Sequence, residues 1–514
     1  MKGCRCALVD LFLPIQSHSH GQRRHAGGHG HGRCRHQDGQ HGIFCAMRKQ
    51  QHMPGGFTQS CRYQRMARKS AFQTCHARAD IADDQKPSLA WNNPWVRAVV
   101  FFAGAMACAS VHRVTFSVLA IPIREEFALS LPQMGVLQSA VLAGYIIGQI
   151  PLGILADRIG GIPVMQSSLL LWTAVTGATS LIRRLPQPQR FPALLIARAA
   201  LGLAQSCIMP ATSAMAAKWV PEDYRARALT LVHATFSLGT VVGMLVTPQL
   251  VAPFGWPGAL KGFTLLGLAW VVFGRWCLPA EGDHVTAGMK QQPAQTGSKG
   301  EQGPSSAGEE GQKAGTWFQI AVLMWTHCAI GWGFFIFQFW IPTYLSALGA
   351  HDLESMGMLS ALPWAASAAG GVIAGNFADW LQEARRWKPA RVRALTQTMA
   401  TLGPALSLLP LIVFRTRTPM SLAVCCLAAF MGLQAFCYAG FHAYVQDVAP
   451  KDAGKLLALT NSASTLVGFG ANLITGALAA SKFGYAAVFA LTSAIYLASC
   501  LSWNAAMKGQ PIRL

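Results

Sequence analysis

Residues 153–158 read GILADR, and residues 375–380 read GNFADW, a partial copy of the same pattern. A second pair of related stretches is VPEDYRARALTLV (220–232) and APKDAGKLLALTN (449–461). In the first half of the chain, GILADR follows the second long apolar segment and VPEDYRARALTLV follows the fourth. GNFADW and APKDAGKLLALTN occupy the corresponding positions in the second half. Matching positions in two halves indicate an internal duplication, and such repeats in membrane proteins surround a binding site near the bilayer midplane.

These stretches are separated by long apolar segments. The chain is 52% hydrophobic and only 12% charged, whereas soluble domains are about 25% charged. A helix needs about 20 apolar residues to cross a bilayer. We therefore predict an all-α membrane protein with twelve transmembrane helices in two pseudo-symmetric six-helix bundles. The predicted spans lie near 97–123, 133–156, 163–183, 191–215, 227–251, 258–278, 316–346, 356–380, 392–414, 418–445, 455–477 and 483–507.

Composition places the domain boundaries. Residues 281–315 are rich in Gly, Ser, Gln and charge, so we expect a flexible central loop there. The bundles would then occupy 91–280 and 316–508, followed by a short tail at 509–514.

The first 90 residues form a basic, His-rich leader. They hold 14 Lys and Arg against 5 Asp and Glu, and 9 of the 15 His. No helical or strand period is present, so we predict disorder. An organelle targeting segment, a His-rich metal-binding tract and a non-functional extension all stay open.

Lys and Arg in the body of the chain mark one side of the predicted membrane. That side, here called the basic side, carries Arg158, Lys218, Arg225, Arg227, Arg385, Arg386, Lys388, Arg391, Arg393, Lys451 and Lys455. The positive-inside rule places it in the cytosol, or in the stroma of a plastid. Because these residues punctuate apolar spans and form no continuous stripe, we expect no nucleic-acid partner despite the net charge of +21.

Two arginines lie within predicted spans. Arg113 is in ASVHRVTFSV (109–118), and Arg198 is in LLIARAALGLAQ (194–205). An Arg at the centre of a span costs about 2.5–3.5 kcal/mol, and no Asp or Glu lies deep in a predicted span to pair with either. Hydrogen bonds to backbone carbonyls would satisfy them. Alternatively, both face a water-filled cavity and take a small anion as counter-ion, because guanidinium matches carboxylate and phosphate.

Two further motifs are candidates. His112 adjoins Arg113 and titrates near neutral pH, although adjacent helical residues point about 100° apart. His233, His327 and His442, taken singly, are more typical of the core. The loop GILADRIGG (153–161) is either a solvated turn or a gating latch. The partial copy that contains Asp379 favours a latch built on Asp157 and Arg158, with Gly153 and Gly160 allowing close approach.

Several motifs, in order and spacing, resemble the anion transporter family of the major facilitator superfamily from about residue 95 to 508. They are GYIIGQIPLGILADRIGG, RAALGLAQSCIMPA, KWVPEDYRARAL, FGWPGA, WIPTY, LPW, VQDVAPKDAG and LTNSAS. This family includes vesicular glutamate transporters, sialin, bacterial hexuronate and galactonate symporters, and plant plastid phosphate and ascorbate carriers. FQFWIPTY and QDVAPKDAG make the plastid branch the most similar.

The resemblance implies a monomeric, multi-pass carrier that moves a small anion across a lipid bilayer by alternating access. The plastid envelope or thylakoid membrane is the implied compartment. Arg113 and Arg198 would bind the anion, and Tyr145 and Asn461 would face the central cavity. No metal or other cofactor is implied.

The sequence departs from the family at three positions. His112 replaces an Asp common in proton-coupled members, Gln205 replaces a common Glu, and Ile330 replaces an Arg or His. These changes disfavour proton symport through a carboxylate. His112 and Gln205 are the candidate positions for coupling: Gln205 cannot titrate, whereas His112 can carry a proton. Sodium coupling and simple facilitated exchange also stay open.

Two rival functions remain at this point. One is a major facilitator carrier of another substrate class, such as a drug/proton antiporter. The other is a non-transporting receptor or sensor on the same scaffold. An enzyme is not expected, because the sequence has no nucleophile elbow, metal-ligand spacing or phosphate loop.

Overall fold

The computed structural model describes residues 91, 93–278, 308–350, 352–450, 452–507, 509 and 512. Within these residues every regular element is a helix. The predicted leader and most of the predicted central loop lie outside the described residues.

The first half contains six crossings. The first, second and third spans are Pro94–Glu126, Leu131–Ile159 and Gly161–Thr179. The fourth span consists of two helices, Gln187–Gln205 and Ile208–Trp219. The fifth and sixth spans are assigned as one helix, Glu222–Cys277, but Gly255 adopts a φ of 66° inside it and divides it into 222–254 and 256–277.

The second half follows the same plan. The seventh and eighth spans are Gly308–Ala347 and Leu353–Glu383. The ninth is Pro389–Ser407, continued by Leu409–Phe414. The tenth joins Met420–Gln434, a 3-10 turn at Ala435–Tyr438 and Phe441–Val448. The eleventh and twelfth are Ala453–Ala479 and Tyr485–Ala506.

One predicted boundary is wrong. The seventh span begins at Gly308, inside the stretch 281–315 that the sequence predicts as a flexible loop. The helix therefore continues beyond its apolar part.

Hydropathy agrees with twelve crossings. Ten helical stretches of the described residues are long and apolar enough to span a membrane. One of them, Arg227–Cys277, contains two crossings because of the turn at Gly255. The third span falls short because it carries polar residues such as Ser168, Thr173 and Thr176, which are buried within the protein. The predicted all-α membrane fold is confirmed.

Packing repeats between the halves. In the first half, the first span packs on the fifth and sixth, the second on the fourth, and the third on the sixth. In the second half, the seventh packs on the eleventh and twelfth, the eighth on the tenth, and the ninth on the twelfth. The halves meet where the second span contacts the eleventh, the fifth contacts the eighth, and the first contacts the seventh. This arrangement is the pseudo-symmetric pair of bundles that the sequence predicts.

Glycines set the closest helix contacts. A Cβ on Gly144 would lie 1.9 Å from the carbonyl oxygen of Ala199, and one on Gly202 would lie 1.8 Å from that of Val141. The second and fourth spans therefore approach through bare backbone, as small residues allow in membrane bundles. Between the halves, a Cβ on Gly135 would lie 3.2 Å from the Cα of Gly476, which closes the side of the molecule opposite the basic side.

We expect Gly202→Ala to destabilise the protein, because the added methyl group forces the second and fourth spans apart. Overpacking of this kind costs about 1–3 kcal/mol. Thermal unfolding in detergent should show a lower midpoint than wild type. Gly470→Ala is the matched control, since nothing lies within 4 Å of a Cβ at that position. An unchanged midpoint for Gly202→Ala would contradict this packing.

Candidate functional site

Arg113 lies near the middle of the first span and is only 8% exposed. Its Nε donates a hydrogen bond of 3.0 Å to Oε1 of Gln205 on the fourth span. The Nε2 of Gln205 in turn donates to the carbonyl of Ala109, also at 3.0 Å. This second bond fixes the amide so that its oxygen faces the guanidinium. Gln205 therefore orients Arg113 without neutralising it.

Arg198 is held in the same way and is 2% exposed. Its Nη2 donates to Oε1 of Gln138 on the second span at 3.2 Å. The Nε2 of Gln138 donates to the carbonyl of Phe339 on the seventh span at 3.4 Å. The side-chain amide of Gln138 thus links Arg198 by hydrogen bonds to the second half of the protein. The sequence analysis missed Gln138, because a single Gln in an apolar span carries no distinguishing pattern.

Aromatic rings bring the two arginines to one place. The guanidinium carbon of Arg198 lies 4.1 Å from the ring centre of Phe116, one helical turn beyond Arg113. The guanidinium carbon of Arg113 lies 5.4 Å from the ring of Tyr145 and 6.0 Å from that of Phe236. The structure therefore brings together four of the predicted residues, namely Arg113, Arg198, Tyr145 and Gln205.

Neither central arginine has a carboxylate partner among the described residues. The ion pairs there join Arg183 to Glu126 at 2.8 Å, Arg393 to Asp447 at 2.9 Å and Lys455 to Asp452 at 2.9 Å, all at the ends of spans. The alternative in which backbone carbonyls satisfy the arginines does not hold either, since both donate to glutamine amides. Arg113 and Arg198 are therefore two buried side chains whose described side-chain partners are neutral.

The second half faces this site with aromatic rings. Phe334 on the seventh span lies 6.3 Å, centre to centre, from Phe236, which contacts Arg113. Trp364 on the eighth span lies 5.5 Å from Phe334, edge to face. The side chains that the second half places here, Phe334 and Trp364, are aromatic and uncharged. Ile330, the position that is cationic in relatives of the resembled family, is also buried on the seventh span.

His112 points away from the arginines. Its Nε2 lies 3.0 Å from the carbonyl oxygen of Phe263 on the sixth span, and its Nδ1 lies 3.3 Å from Oγ1 of Thr176 on the third span. Both ring nitrogens are therefore engaged on the far side of the first span. The 100° between successive helical residues separates His112 from Arg113.

Asn461 is half-buried on the eleventh span, and its side chain makes no hydrogen bond to a described residue. Its neighbour Ser462 lies 3.4 Å from Oε1 of Gln149, one helical turn from Tyr145 towards the basic side. Asn461 therefore lies nearer the basic side than Arg113, and its part in the site stays a prediction.

The predicted latch residues make their contacts within the first half. Gly160 ends the second span with a φ of 93°, which a residue with a side chain rarely adopts. The exposed Asp157 and Arg158 line a recess with Lys218 of the fourth span. A Cβ on Gly153 would lie 3.7 Å from Pro210, also on the fourth span. Among the described residues no ion pair joins Arg158 to Asp379, so the latch stays a prediction.

The sequence is similar to one family model and to two known transport proteins. The sequence model of the Major Facilitator Superfamily matches residues 100–471. An ascorbate transporter, chloroplastic, of Arabidopsis thaliana is 31% identical over 81% of this chain and 75% of its own length. A sodium-dependent phosphate transport protein 1, chloroplastic, of the same plant is 31% identical over 81% of this chain and 80% of its own.

Solved structures share the fold. A D-xylose–proton symporter aligns with a TM-score of 0.62 over 81% of this chain and 98% of its own, at 14% identity. An inward-facing bacterial homologue of the human lysosomal transporter Spinster aligns with a TM-score of 0.56 over 80% of this chain and 96% of its own, also at 14% identity. These relatives and structures are transporters, not enzymes. The chain is a multi-pass membrane protein that belongs to the Major Facilitator Superfamily and, within it, to the anion transporter family.

Proposed function

We propose that this protein carries inorganic phosphate or a small organic anion across a membrane by alternating access, and that Arg113 and Arg198 hold the anion. One observation carries the proposal: two buried arginines share a site in which their described side-chain partners are neutral amides. The anion would supply the negative charge that the spans lack.

The free donors suit oxygen anions. Neither terminal nitrogen of Arg113 donates to a described residue, and the buried Nε of Arg198 also has no partner there. A guanidinium presents paired N–H groups in one plane, which match two oxygens of a carboxylate or a phosphate. Burial lowers the local dielectric and strengthens this attraction.

The relatives support the same class of substrate. Their names give ascorbate for one and phosphate for another, and both ions carry charge on oxygen. We therefore propose these two anions as the first to test. Because the site lies within a single chain, we also propose that the monomer is the working unit.

Alternating access is supported by the uneven contacts between the halves. They touch through glycine backbone at Gly135 and Gly476, and a Cβ added to Gly357 would lie only 2.4 Å from the side chain of Pro248. Both contacts lie away from the basic side. Towards the basic side, His233 and Tyr438 are exposed although they lie on inner stretches of their spans. The reverse state would close the basic side, where Asp157 and Arg158 would meet the second half as a latch.

Purified protein in liposomes should take up radiolabelled phosphate, ascorbate or both. Arg113→Gln and Arg198→Gln should each lower the uptake rate at low substrate by roughly 10- to 100-fold, since a hydrogen bond to a charged group contributes about 1.5–3 kcal/mol.

Arg190→Gln is the matched control. Arg190 lies on the same helix as Arg198 and stacks on a ring at 5.0 Å, but that ring is Phe127, near the end of the first span. We expect it to transport like wild type. Full uptake of both anions by Arg113→Gln would contradict the two-arginine site. Uptake of neither anion by the wild-type protein would contradict the transport function and leave a receptor as the better hypothesis.

We further propose that the protein works in a plastid membrane, because the relatives described above are chloroplastic. Residues 1–90, which lie outside the described residues, would direct it there. A fluorescent fusion expressed in plant cells should label plastids, and deletion of residues 1–90 should abolish that labelling. Unchanged plastid labelling after the deletion would rule out the leader as the targeting segment.

A further inference from the structure

Two histidines of the second half lie in contact, and a third lies on the first half. The ring centres of His327 on the seventh span and His442 on the tenth span lie 5.6 Å apart, edge to face. The third, His233 on the fifth span, lies 2.6 Å through Nδ1 from the carbonyl oxygen of Leu229 and 3.1 Å through Nε2 from Sδ of Met209. We call these three residues the histidine cluster. None of them takes part in the arginine site.

The cluster lies between the arginine site and the basic side. His233 is three residues, about one helical turn, from Phe236, the residue that contacts Arg113. The fifth span runs from the basic side inwards, so His233 is the outer of the two. An anion that moves between the arginines and the basic side would therefore pass the cluster.

Part of the cluster is exposed. His233 is exposed and His442 is partly exposed. Tyr438 stacks on His442 with 5.5 Å between ring centres. It lies in the 3-10 turn of the tenth span, and 58% of its surface is exposed. By contrast, both nitrogens of His112 are sealed against the third and sixth spans.

The cluster also sits at a break in the tenth span. The helix changes to a 3-10 turn at Ala435–Tyr438, and Gly440 has a φ of −89° and a ψ of −96°. His442 lies in the first turn of the helix that follows. Gln397 of the ninth span accepts a hydrogen bond of 3.0 Å from the backbone N–H of Phe441, beside His442. On the eleventh span, Oγ1 of Thr460 lies 2.9 Å from Nδ1 of His327.

The surrounding titratable groups are few. The tenth span adds Cys437 and Tyr438, and the fifth adds His233. The ninth span adds Arg393, which donates to the carbonyl of Ala439 at 3.2 Å and pairs with Asp447. In the seventh span, Cys328 follows His327 directly. In the described part of the eleventh span, Lys455 lies near the end on the basic side. No carboxylate of the described residues bonds to either imidazole, so the imidazole nitrogens are the groups there that can take up a proton.

We propose that the His327–His442 pair binds a proton that is transported together with the anion. This inference rests on the proposed anion transport. A proton on the pair adds positive charge in the same cavity as the anion, so each ligand strengthens the binding of the other by the same factor. Two imidazoles this close bind a first proton more readily than a second. A metal cation such as sodium prefers several oxygen ligands, which the cluster does not offer.

A coupled proton has a measurable consequence. With one proton per anion, a difference of one pH unit across the membrane raises the limiting accumulation ratio by up to about tenfold. We expect wild-type protein in liposomes, with the membrane potential clamped to zero, to accumulate labelled phosphate or ascorbate in response to a pH gradient. A pH-sensitive dye should report proton entry with the anion.

His327→Gln and His442→Gln should lose both the gradient-driven accumulation and the dye signal. His112→Gln is the matched control and should keep both, since His112 faces away from the cavity. Accumulation that persists in both cluster variants would overturn the proton assignment, as would wild-type accumulation that follows a sodium gradient and ignores pH.

Exchange of labelled for unlabelled anion at equal pH by the wild-type protein separates the two proposals. No exchange of either anion would overturn the transport function itself, whereas exchange without any pH response would overturn only the proton site.

A second measurement does not depend on the variants folding. Calorimetric titration of the wild-type protein with phosphate or ascorbate in buffers of different ionisation enthalpy should show proton uptake on anion binding near neutral pH. A binding heat independent of the buffer would overturn the proposal.

Discussion

The hydrogen bond from Nε of Arg113 to Oε1 of Gln205, 3.0 Å long, is the interaction on which the account depends. It places a positive charge in the middle of a membrane bundle and gives it a neutral partner. A carboxylate there would form an ion pair with Arg113 and offset part of its positive charge. The amide keeps Arg113 in one orientation while its charge remains available. Arg198 and Gln138 repeat the arrangement about two turns away along the fourth span.

The two halves contribute different chemistry to one cavity. Both central arginines belong to the first half, where glycine contacts between the second and fourth spans bring Arg198 and Tyr145 towards the first span. The second half contributes the aromatic wall of Phe334 and Trp364, together with His327 and His442. If the first half holds the anion and the second holds the proton, then motion of one half against the other changes the surroundings of both ligands. Coupling would then follow from their shared cavity, without a direct hydrogen bond between them.

Much of the fold and part of the site could be predicted from the sequence. Apolar length located the spans, the repeated GILADR and GNFADW stretches indicated two halves, and Arg113 and Arg198 stood out because charge is rare at the centre of a span. The direction of a side chain could not be predicted, which is why His112 was a candidate for coupling until its contacts with Phe263 and Thr176 were known. The histidine cluster was also hidden, since His233, His327 and His442 are each ordinary in sequence and meet only through tertiary packing.

The affinity of Gln205→Glu for phosphate or ascorbate, measured by calorimetry across a range of pH, tests the central claim most directly. The new carboxylate would pair with Arg113 and compete with the anion. We predict affinity at least about tenfold below wild type at alkaline pH, the loss expected from a charge-assisted hydrogen bond. The ratio to wild type should recover on acidification, as the glutamate is protonated. An affinity equal to wild type at every pH would show that the charge of Arg113 is not what binds the anion.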